Sequence, residues 1–153
     1  RSPPSSSTAA SYVYKRQMQT LVDYIITNRD RHQGNIGFLR DADTLQIIDV
    51  APIFDSGSSK HLEGEQPEDT IHTKVNSLYP TEGECLSHVK DYFVLDVSKL
   101  PTIDEIEDIL NQCSYISEYR KDQLLSLYEQ KVDYVLQMQD RQLEIMDLDD
   151  TER

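Results

Sequence analysis

Hydrophobic positions recur at helical spacing near the start of the chain. Five apolar residues share one face there: Met18, Leu21, Val22, Ile25 and Ile26. Positions three and four apart lie on one side of an α-helix, so this stripe predicts a helix that begins at Met18. The stripe stops at the polar pair Thr27-Asn28, where we expect the helix to end.

Two short apolar runs follow at residues 36–39 and 45–48, separated by an Asp-rich segment at residues 41–44. Apolar runs on both sides of turn-forming residues predict a β-hairpin. Pro52 has no backbone N–H group to donate, so the second strand should stop before it. Residues 58–76 are polar and rich in glutamate, which predicts a mobile loop.

The rest of the chain has the pattern of helices. Thr81 and Thr102 are each followed three residues later by a glutamate, Glu84 and Glu105. This spacing is a capping box, which opens a helix. A longer helix is predicted after the second of these. The residues expected to face inward are Leu86, Val89, Tyr92, Phe93, Ile103, Ile106, Ile109, Leu110, Cys113, Leu124, Tyr128, Val132 and Val135. The predicted fold class is therefore α+β, mainly α, with one small hairpin.

Composition narrows the class of protein further. The 153 residues are 37% apolar and 28% charged, which is typical of one globular domain. No apolar run reaches the roughly 18 residues of a membrane span, so no membrane partner is expected. Residues 1–40 carry a net charge of +4 and the remainder −17, and an acidic body argues against direct nucleic-acid binding. Cys85 and Cys113 fit no metal or redox spacing, which favours a reducing, cytoplasmic location.

Both ends are expected to lie outside the folded unit. Residues 1–17 are rich in serine, which predicts a disordered segment, either foreign to the domain or a natural linker. Residues 141–153 form an acidic tail that is expected to fray into solvent. The predicted domain therefore spans residues 18–140.

Candidate chemistry is concentrated between the first helix and the end of the hairpin. Asp30 and Asn35 lie five residues apart, and Asp55 follows the second predicted strand. In phosphoryl-transfer sites one Asp accepts the proton of the attacking hydroxyl, while an Asn and a second Asp hold magnesium. Because a hairpin folds back on itself, Asp55 should return beside Asp30 and Asn35. Asp49 also ends a strand and is an alternative metal ligand.

Neighbouring residues are expected to support this site. Asn28 is expected to support Asp30. Arg31 is either a surface charge or a brace for the loop backbone. His32 is expected to pack under the loop and to donate to a backbone carbonyl. Gly34 allows a tight turn before the predicted metal ligand.

The sequence Asp-Arg-His-x-x-Asn at residues 30–35, followed by Ala-Pro-Ile-Phe-Asp-Ser-Gly at residues 51–57, resembles the C-terminal lobe of HipA-like serine/threonine kinases. The resemblance implies part of a protein-kinase-like fold whose β-hairpin bears the metal site. It implies ATP and Mg²⁺ as cofactors, with Asp30 as catalytic base and Asn35 and Asp55 as magnesium ligands. The implied substrate is protein serine or threonine.

The same resemblance implies partners. Some members of that family are toxins restrained by an antitoxin, which makes an antitoxin-like protein a candidate partner. The sequence has no glycine-rich loop, strand lysine or partner glutamate of an N-terminal lobe. We therefore expect an incomplete kinase, a fragment that lacks its N-terminal lobe and is inactive alone.

Two other functions remain open. Phosphoinositide-type lipid kinases share Asp-Arg-His-x-x-Asn and then an Ile-Asp pair, which Ile48-Asp49 could supply. Such enzymes should carry a basic loop facing the membrane, whereas residues 58–70 are acidic. A non-catalytic interaction module is the other alternative; the missing lobe favours it, and the three retained polar residues argue against it.

Overall fold

The computed structural model describes residues 6–57, 59 and 71–151, which form a mainly helical fold with one small antiparallel sheet. In chain order its elements are α1 (Ser6–Ile25), β1 (Phe38–Arg40), β2 (Ile47–Val50), α2 (Glu82–Ser87), α3 (Ile103–Asn111) and α4 (Glu118–Thr151). Short 3-10 turns occur at Gln33–Asn35, Tyr92–Val94 and Val97–Lys99. The predicted mainly helical α+β class is confirmed. None of the described helices combines the length and the apolar character needed to cross a membrane.

The first helix differs from its prediction. It begins at Ser6, whereas the apolar stripe predicted Met18, so the expected disorder is wrong for residues 6–17. Residues 1–5 lie outside the described residues. The extension is held by tertiary contacts: the Gln17 side-chain oxygen accepts hydrogen bonds from the backbone N–H groups of Lys90 and Asp91, at 2.5 and 3.0 Å. Serine-rich composition predicts poor burial, but it does not report such contacts with distant backbone.

The hairpin prediction is confirmed. In the antiparallel pair, Phe38 lies opposite Val50 and Leu39 opposite Asp49, with an irregularity after Leu39. The Asp41 carboxylate accepts hydrogen bonds from the backbone N–H groups of residues 43 and 44, which closes the turn. Helix α1 packs against β2, so the hairpin is fixed to the helical body.

Helices begin after both Thr81 and Thr102 as predicted, and the complete capping box forms at Thr102. The Thr81 hydroxyl accepts from the backbone N–H of Glu84 at α2, and Thr102 and Glu105 exchange both hydrogen bonds at α3. The core beneath joins α1, α4 and the segment between α2 and α3, and consists of Leu21, Tyr24, Ile25, Leu86, Val89, Tyr92, Val94, Leu95 and Val135.

Two side chains predicted to face inward lie at the surface. Phe93 is 46% exposed and Ile109 is 63% exposed. Helix α2 ends at Ser87, so Phe93 no longer follows the helical spacing on which its prediction relied. The predicted fraying of residues 141–153 is wrong up to residue 151, where α4 is still helical. Residues 152 and 153 lie outside the described residues.

A buried ion pair joins three helices. The Lys131 ammonium of α4 is fully buried and contacts both carboxylate oxygens of Glu82 in α2, at 2.8 and 3.0 Å. The same ammonium donates to the backbone carbonyl of Tyr24 near the end of α1, at 2.8 Å. It also lies 4.5 Å from the centre of the Tyr24 aromatic ring. Burial raises the pKa of Glu82 and lowers the pKa of Lys131, and their mutual attraction opposes both shifts.

The predicted mobile loop at residues 58–76 lies largely outside the described residues, at 58 and 60–70. Its described end, residues 71–76, is folded back on α2. The backbone N–H of Glu82 donates to the Thr73 carbonyl at 3.0 Å, and Val75 donates to Pro80 at 2.9 Å. Residues 73–81 therefore form a closed loop attached to the start of α2.

Candidate functional site

The candidate site begins where α1 ends. Thr27 adopts a left-handed conformation, with φ of 55°, and the N–H of Asn28 donates to the Asp23 carbonyl at 2.8 Å. This pattern terminates a helix and is usually built around glycine, because a branched side chain is strained at positive φ. Thr27 is nevertheless buried, so packing holds the strained turn that sends the chain into the loop carrying Asp30.

Asp23 and Arg31 make a buried platform under that loop. The Arg31 side chain is 3% exposed, and its Nε and Nη2 atoms each lie 2.9 Å from an Asp23 carboxylate oxygen. Asn28 donates to the same carboxylate at 2.9 Å. A guanidinium paired with a carboxylate through two hydrogen bonds is fixed in orientation as well as in charge. Arg31 is thus a brace and not a surface charge.

The Arg31 guanidinium also donates hydrogen bonds to the segment that follows β2, here called the hairpin exit (residues 54–57). Nη1 donates to the backbone carbonyl of Asn35 at 3.1 Å and to that of Phe54 at 2.5 Å, and Nη2 donates to the Ser56 hydroxyl at 3.1 Å. Two carbonyl oxygens that share one donor nitrogen lie less than about 6 Å apart. Arg31 therefore sets the residues on both sides of Asp55 next to the loop of Asp30 and Asn35.

Asp30 presents its carboxylate at the surface. Its side chain is 40% exposed. One oxygen, Oδ1, accepts a hydrogen bond from the Asn76 side chain at 2.6 Å, and the His32 ring lies 4.0 Å from the same atom. The backbone N–H of Asp30 donates to Asn28 Oδ1 at 3.3 Å. Asp30 is therefore oriented from two sides and still reachable by a molecule from solvent.

Asn35 is buried, with 6% of its surface exposed. Its amide nitrogen donates to the Asp30 carbonyl at 2.9 Å, and its Oδ1 atom has no donor among the described residues. A buried amide oxygen without a partner is costly, and a bound cation would satisfy it. Asn35 therefore fits the part of a magnesium ligand.

Asp55 is the second predicted magnesium ligand. It is exposed and has a φ of 53°, and its carboxylate forms no hydrogen bond with any other described residue. Asp tolerates this left-handed conformation better than most residues do. Amide and carboxylate oxygens are the hard ligands that magnesium prefers. Within the described ranges, no group of three His, Cys, Asp or Glu side chains could hold a metal ion.

His32 and Gly34 shape the loop between Asp30 and Asn35. His32 Nδ1 accepts a hydrogen bond from the Gly34 N–H at 3.0 Å, and His32 donates to no backbone carbonyl of the described residues. Its side chain is 43% exposed, so the prediction that it packs under the loop is wrong. A Cβ atom at Gly34 would lie 2.8 Å from the His32 ring. A larger residue at position 34 would therefore push the His32 ring from its present position.

Asp49, the alternative metal ligand, has another partner. Both of its carboxylate oxygens lie 2.6 Å from the Lys15 ammonium. The hydrogen bond from Lys15 lowers the pKa of Asp49. A cation at Asp49 would have to displace Lys15, whereas Asp55 has no such competitor among the described residues.

Three residues of this constellation were not singled out by the sequence: Asp23, Lys15 and Asn76. Asp23 lies in the first helix but is not a member of its apolar stripe, and a carboxylate at such a position gives no local signal of burial. Lys15 was set aside with the segment expected to be disordered. Asn76 lies in a polar loop 46 residues from Asp30, and no local pattern marks it.

In comparisons of this chain with protein-family models, with curated proteins and with solved structures, none matched.

Proposed function

We propose that this chain is the C-terminal lobe of a HipA-like serine/threonine kinase, which together with an N-terminal lobe transfers a phosphoryl group from ATP to a protein hydroxyl. In this proposal Asp30 is the catalytic base, and Asn35 and Asp55 hold Mg²⁺. Asn28, Arg31 and His32 support them. The proposal rests on the sequence resemblance together with the placement of these residues.

The observation that carries the proposal is the double attachment of Arg31. One guanidinium holds the backbone carbonyls of Asn35 and Phe54, residues that are 19 positions apart. The exit of the hairpin is thereby drawn to the loop of the candidate base. A magnesium site made from both segments needs this convergence, since ligands from two separate segments must meet around one ion.

Each side chain has a distinct role in the proposed reaction. Bound ATP and magnesium would supply the transferable phosphoryl group and neutralise its charge. The exposed Asp30 carboxylate would accept the proton of the incoming hydroxyl. The unpaired oxygen of Asn35 and the carboxylate of Asp55 would face the cation.

The proposal also sets requirements outside this lobe. A kinase positions ATP between two lobes, so a glycine-rich loop and a phosphate-binding lysine must come from another segment or chain. An antitoxin-like protein remains a proposed partner. A cytoplasmic location, where ATP is abundant, is part of the same proposal and agrees with the unpaired thiols of Cys85 and Cys113.

A lipid kinase is a weaker candidate. It would use Asp49 as its metal ligand, and the Lys15 contact occupies both oxygens of that carboxylate. A non-catalytic interaction module is supported by the exposed apolar residues of the hairpin region. These include Phe38, Leu39, Ile47, Ile48, Ile53 and Phe54.

The test is a phosphoryl-transfer assay in the complete two-lobed kinase that the proposal requires. We expect Asp30→Ala to lower kcat by about 10²- to 10⁴-fold while leaving the affinity for ATP nearly unchanged. Asn35→Ala and Asp55→Ala should weaken ATP binding in the presence of Mg²⁺ and have little effect in its absence. The isolated chain should turn over little or nothing.

Asp43→Ala is the matched control, because Asp43 is an exposed aspartate in the hairpin turn, outside the site. It should leave both parameters unchanged. Equal kcat values for Asp30→Ala and Asp43→Ala would contradict the kinase function and favour an interaction module.

A further inference from the structure

We propose that Asn76 is a positioning residue for Asp30: it holds one carboxylate oxygen so that the other, Oδ2, receives the proton of the substrate hydroxyl. This inference deepens the proposed kinase function and depends on it. It assigns a role in the site to the loop at residues 73–81, which the motif does not include.

The loop that carries Asn76 is fastened at several points. Lys74 and Thr81 form an isolated antiparallel bridge across its base. The ring of Tyr79 stacks on His88, with centres 3.9 Å apart and planes 10° apart. Together with the backbone hydrogen bonds at residues 73, 75, 80 and 82, these contacts leave the tip of the loop little freedom.

Asn76 is joined to the Asp30 loop by two hydrogen bonds. Its backbone N–H donates to the Arg29 carbonyl at 2.7 Å, and its side chain donates to Asp30 Oδ1 at 2.6 Å. The backbone bond fixes where the exposed Asn76 side chain starts, and the side-chain bond restrains one oxygen of the Asp30 carboxylate. The side-chain bond spans 46 residues and the backbone bond joins Asn76 to the residue before Asp30, so both belong to the tertiary structure.

The two oxygens of Asp30 consequently have different surroundings. Oδ1 is held by Asn76 and lies 4.0 Å from His32, whereas Oδ2 has no hydrogen bond to a described residue. A general base must be within hydrogen-bond reach of the proton that it removes. Oδ2 is the oxygen that is available for that contact.

The proposed step moves one proton and one phosphoryl group. The O–H bond of the serine or threonine acceptor breaks, and its proton passes to Asp30 Oδ2. The acceptor oxygen forms a bond to the γ-phosphorus of ATP, and the bridging oxygen leaves with ADP. Asp30 then returns the proton to water. Asn76 touches none of the reacting atoms and acts through the orientation of the carboxylate.

The contact itself can be tested by NMR on this chain, without ATP. We expect Asp30→Ala to shift the side-chain amide signals of Asn76, because the hydrogen bond is lost. The control Asp43→Ala, in the exposed hairpin turn, should leave them in place. Signals of Asn76 that respond equally to both variants would overturn the inference before any kinetic measurement.

The role is tested by kinetics in the complete kinase. Asn76→Asp has nearly the same shape but cannot donate, and it sets a second carboxylate against Asp30. We therefore expect kcat to fall by at least about 10- to 100-fold, the effect of losing one hydrogen bond to a charged group. The KM for ATP should stay within about twofold of the original value, since Asn76 does not contact the nucleotide in this scheme. Asn76→Gln keeps the amide donor and should retain more of the activity.

Asn111→Asp makes the same chemical change at the end of α3, where Asn111 is exposed and its Oδ1 atom accepts from Lys121. It should leave kcat unchanged. If Asn76→Asp and Asn111→Asp give equal kcat values while Asp30→Ala is inactive, the positioning role is wrong and the kinase function stands. If Asp30→Ala is fully active, the kinase function fails and the role of Asn76 fails with it.

Discussion

Charged side chains beneath the candidate site are buried and paired, whereas the charged side chain on its surface is exposed to solvent. Beneath it, Lys131 and Glu82 are buried and fully paired, and Arg31 and Asp23 form a second buried pair. On the surface, the side chain of Asp30 is 40% exposed. The comparison suggests that the buried charges hold the architecture in place, while the exposed carboxylate is left open to a ligand.

The physical reason lies in the cost of desolvation. A buried charge is tolerated when a partner and additional hydrogen bonds replace its water, and removing one partner leaves the other uncompensated. An exposed carboxylate remains solvated, so its substitution costs little stability. Substitution of the buried charges should therefore lower the free energy of unfolding. Substitution of the exposed Asp30 should instead lower the turnover of the proposed kinase.

The largest effect on stability is expected for Lys131→Met. It leaves Glu82 buried without its cation and removes the hydrogen bond to the Tyr24 carbonyl. The free energy of unfolding should fall by about 3–5 kcal/mol, measured by urea denaturation. The double variant Lys131→Met/Glu82→Leu should recover a large part of this loss, because neither charge then remains buried. A double variant as unstable as the single one would show that the pair is not the source of the effect.

A smaller effect is expected for Arg31→Lys. Lysine keeps the charge but cannot hold Asp23, the Asn35 carbonyl and the Phe54 carbonyl at once. We expect a loss of about 2 kcal/mol in unfolding free energy, together with faster amide hydrogen exchange at residues 54–57. Arg40→Lys, on the exposed edge of β1, is the control and should change neither quantity. Unchanged exchange at residues 54–57 would mean that the guanidinium does not hold the hairpin exit.

The smallest effect is expected at the surface pair of Lys15 and Asp49. The hydrogen bond from Lys15 lowers the pKa of Asp49 from 3.8 in the folded chain. A lowered pKa contributes stability above pH 3.8, and this contribution is lost as the pH falls through the folded-state value. The urea midpoints of the original chain and of Asp49→Asn should therefore differ slightly at pH 7 and converge in strong acid. A difference that grows in acid would contradict this assignment.

Local signals predicted a substantial part of the fold. The Asp41 turn, the Thr102 capping box and the apolar periodicity of the helices each involve residues a few positions apart, and each appears in the structure. The motif also indicated which loop to inspect for Asp30 and Asn35. Their roles in phosphoryl transfer stay predictions.

The predictions that were wrong concern residues whose contacts lie far away in the sequence. The serine-rich start of α1 was expected to be disordered, yet the Tyr14 hydroxyl donates to the Val94 carbonyl at 3.2 Å. Lysine side chains usually lie at the protein surface, but Lys131 is fully buried. In each case the decisive partner lies far away in the chain, so no window of neighbouring residues contains the information.

The sequence by itself determined where α2 and α3 begin, the hairpin and the polar residues of the loop after α1, because caps, turns and periodicity depend on near neighbours. The tertiary structure decided which of those polar residues meet. The Asn76–Asp30 hydrogen bond spans 46 residues and the Lys131–Tyr24 hydrogen bond spans 107. Such contacts form when packing brings distant segments together and removes water from between them, and that depends on the whole fold.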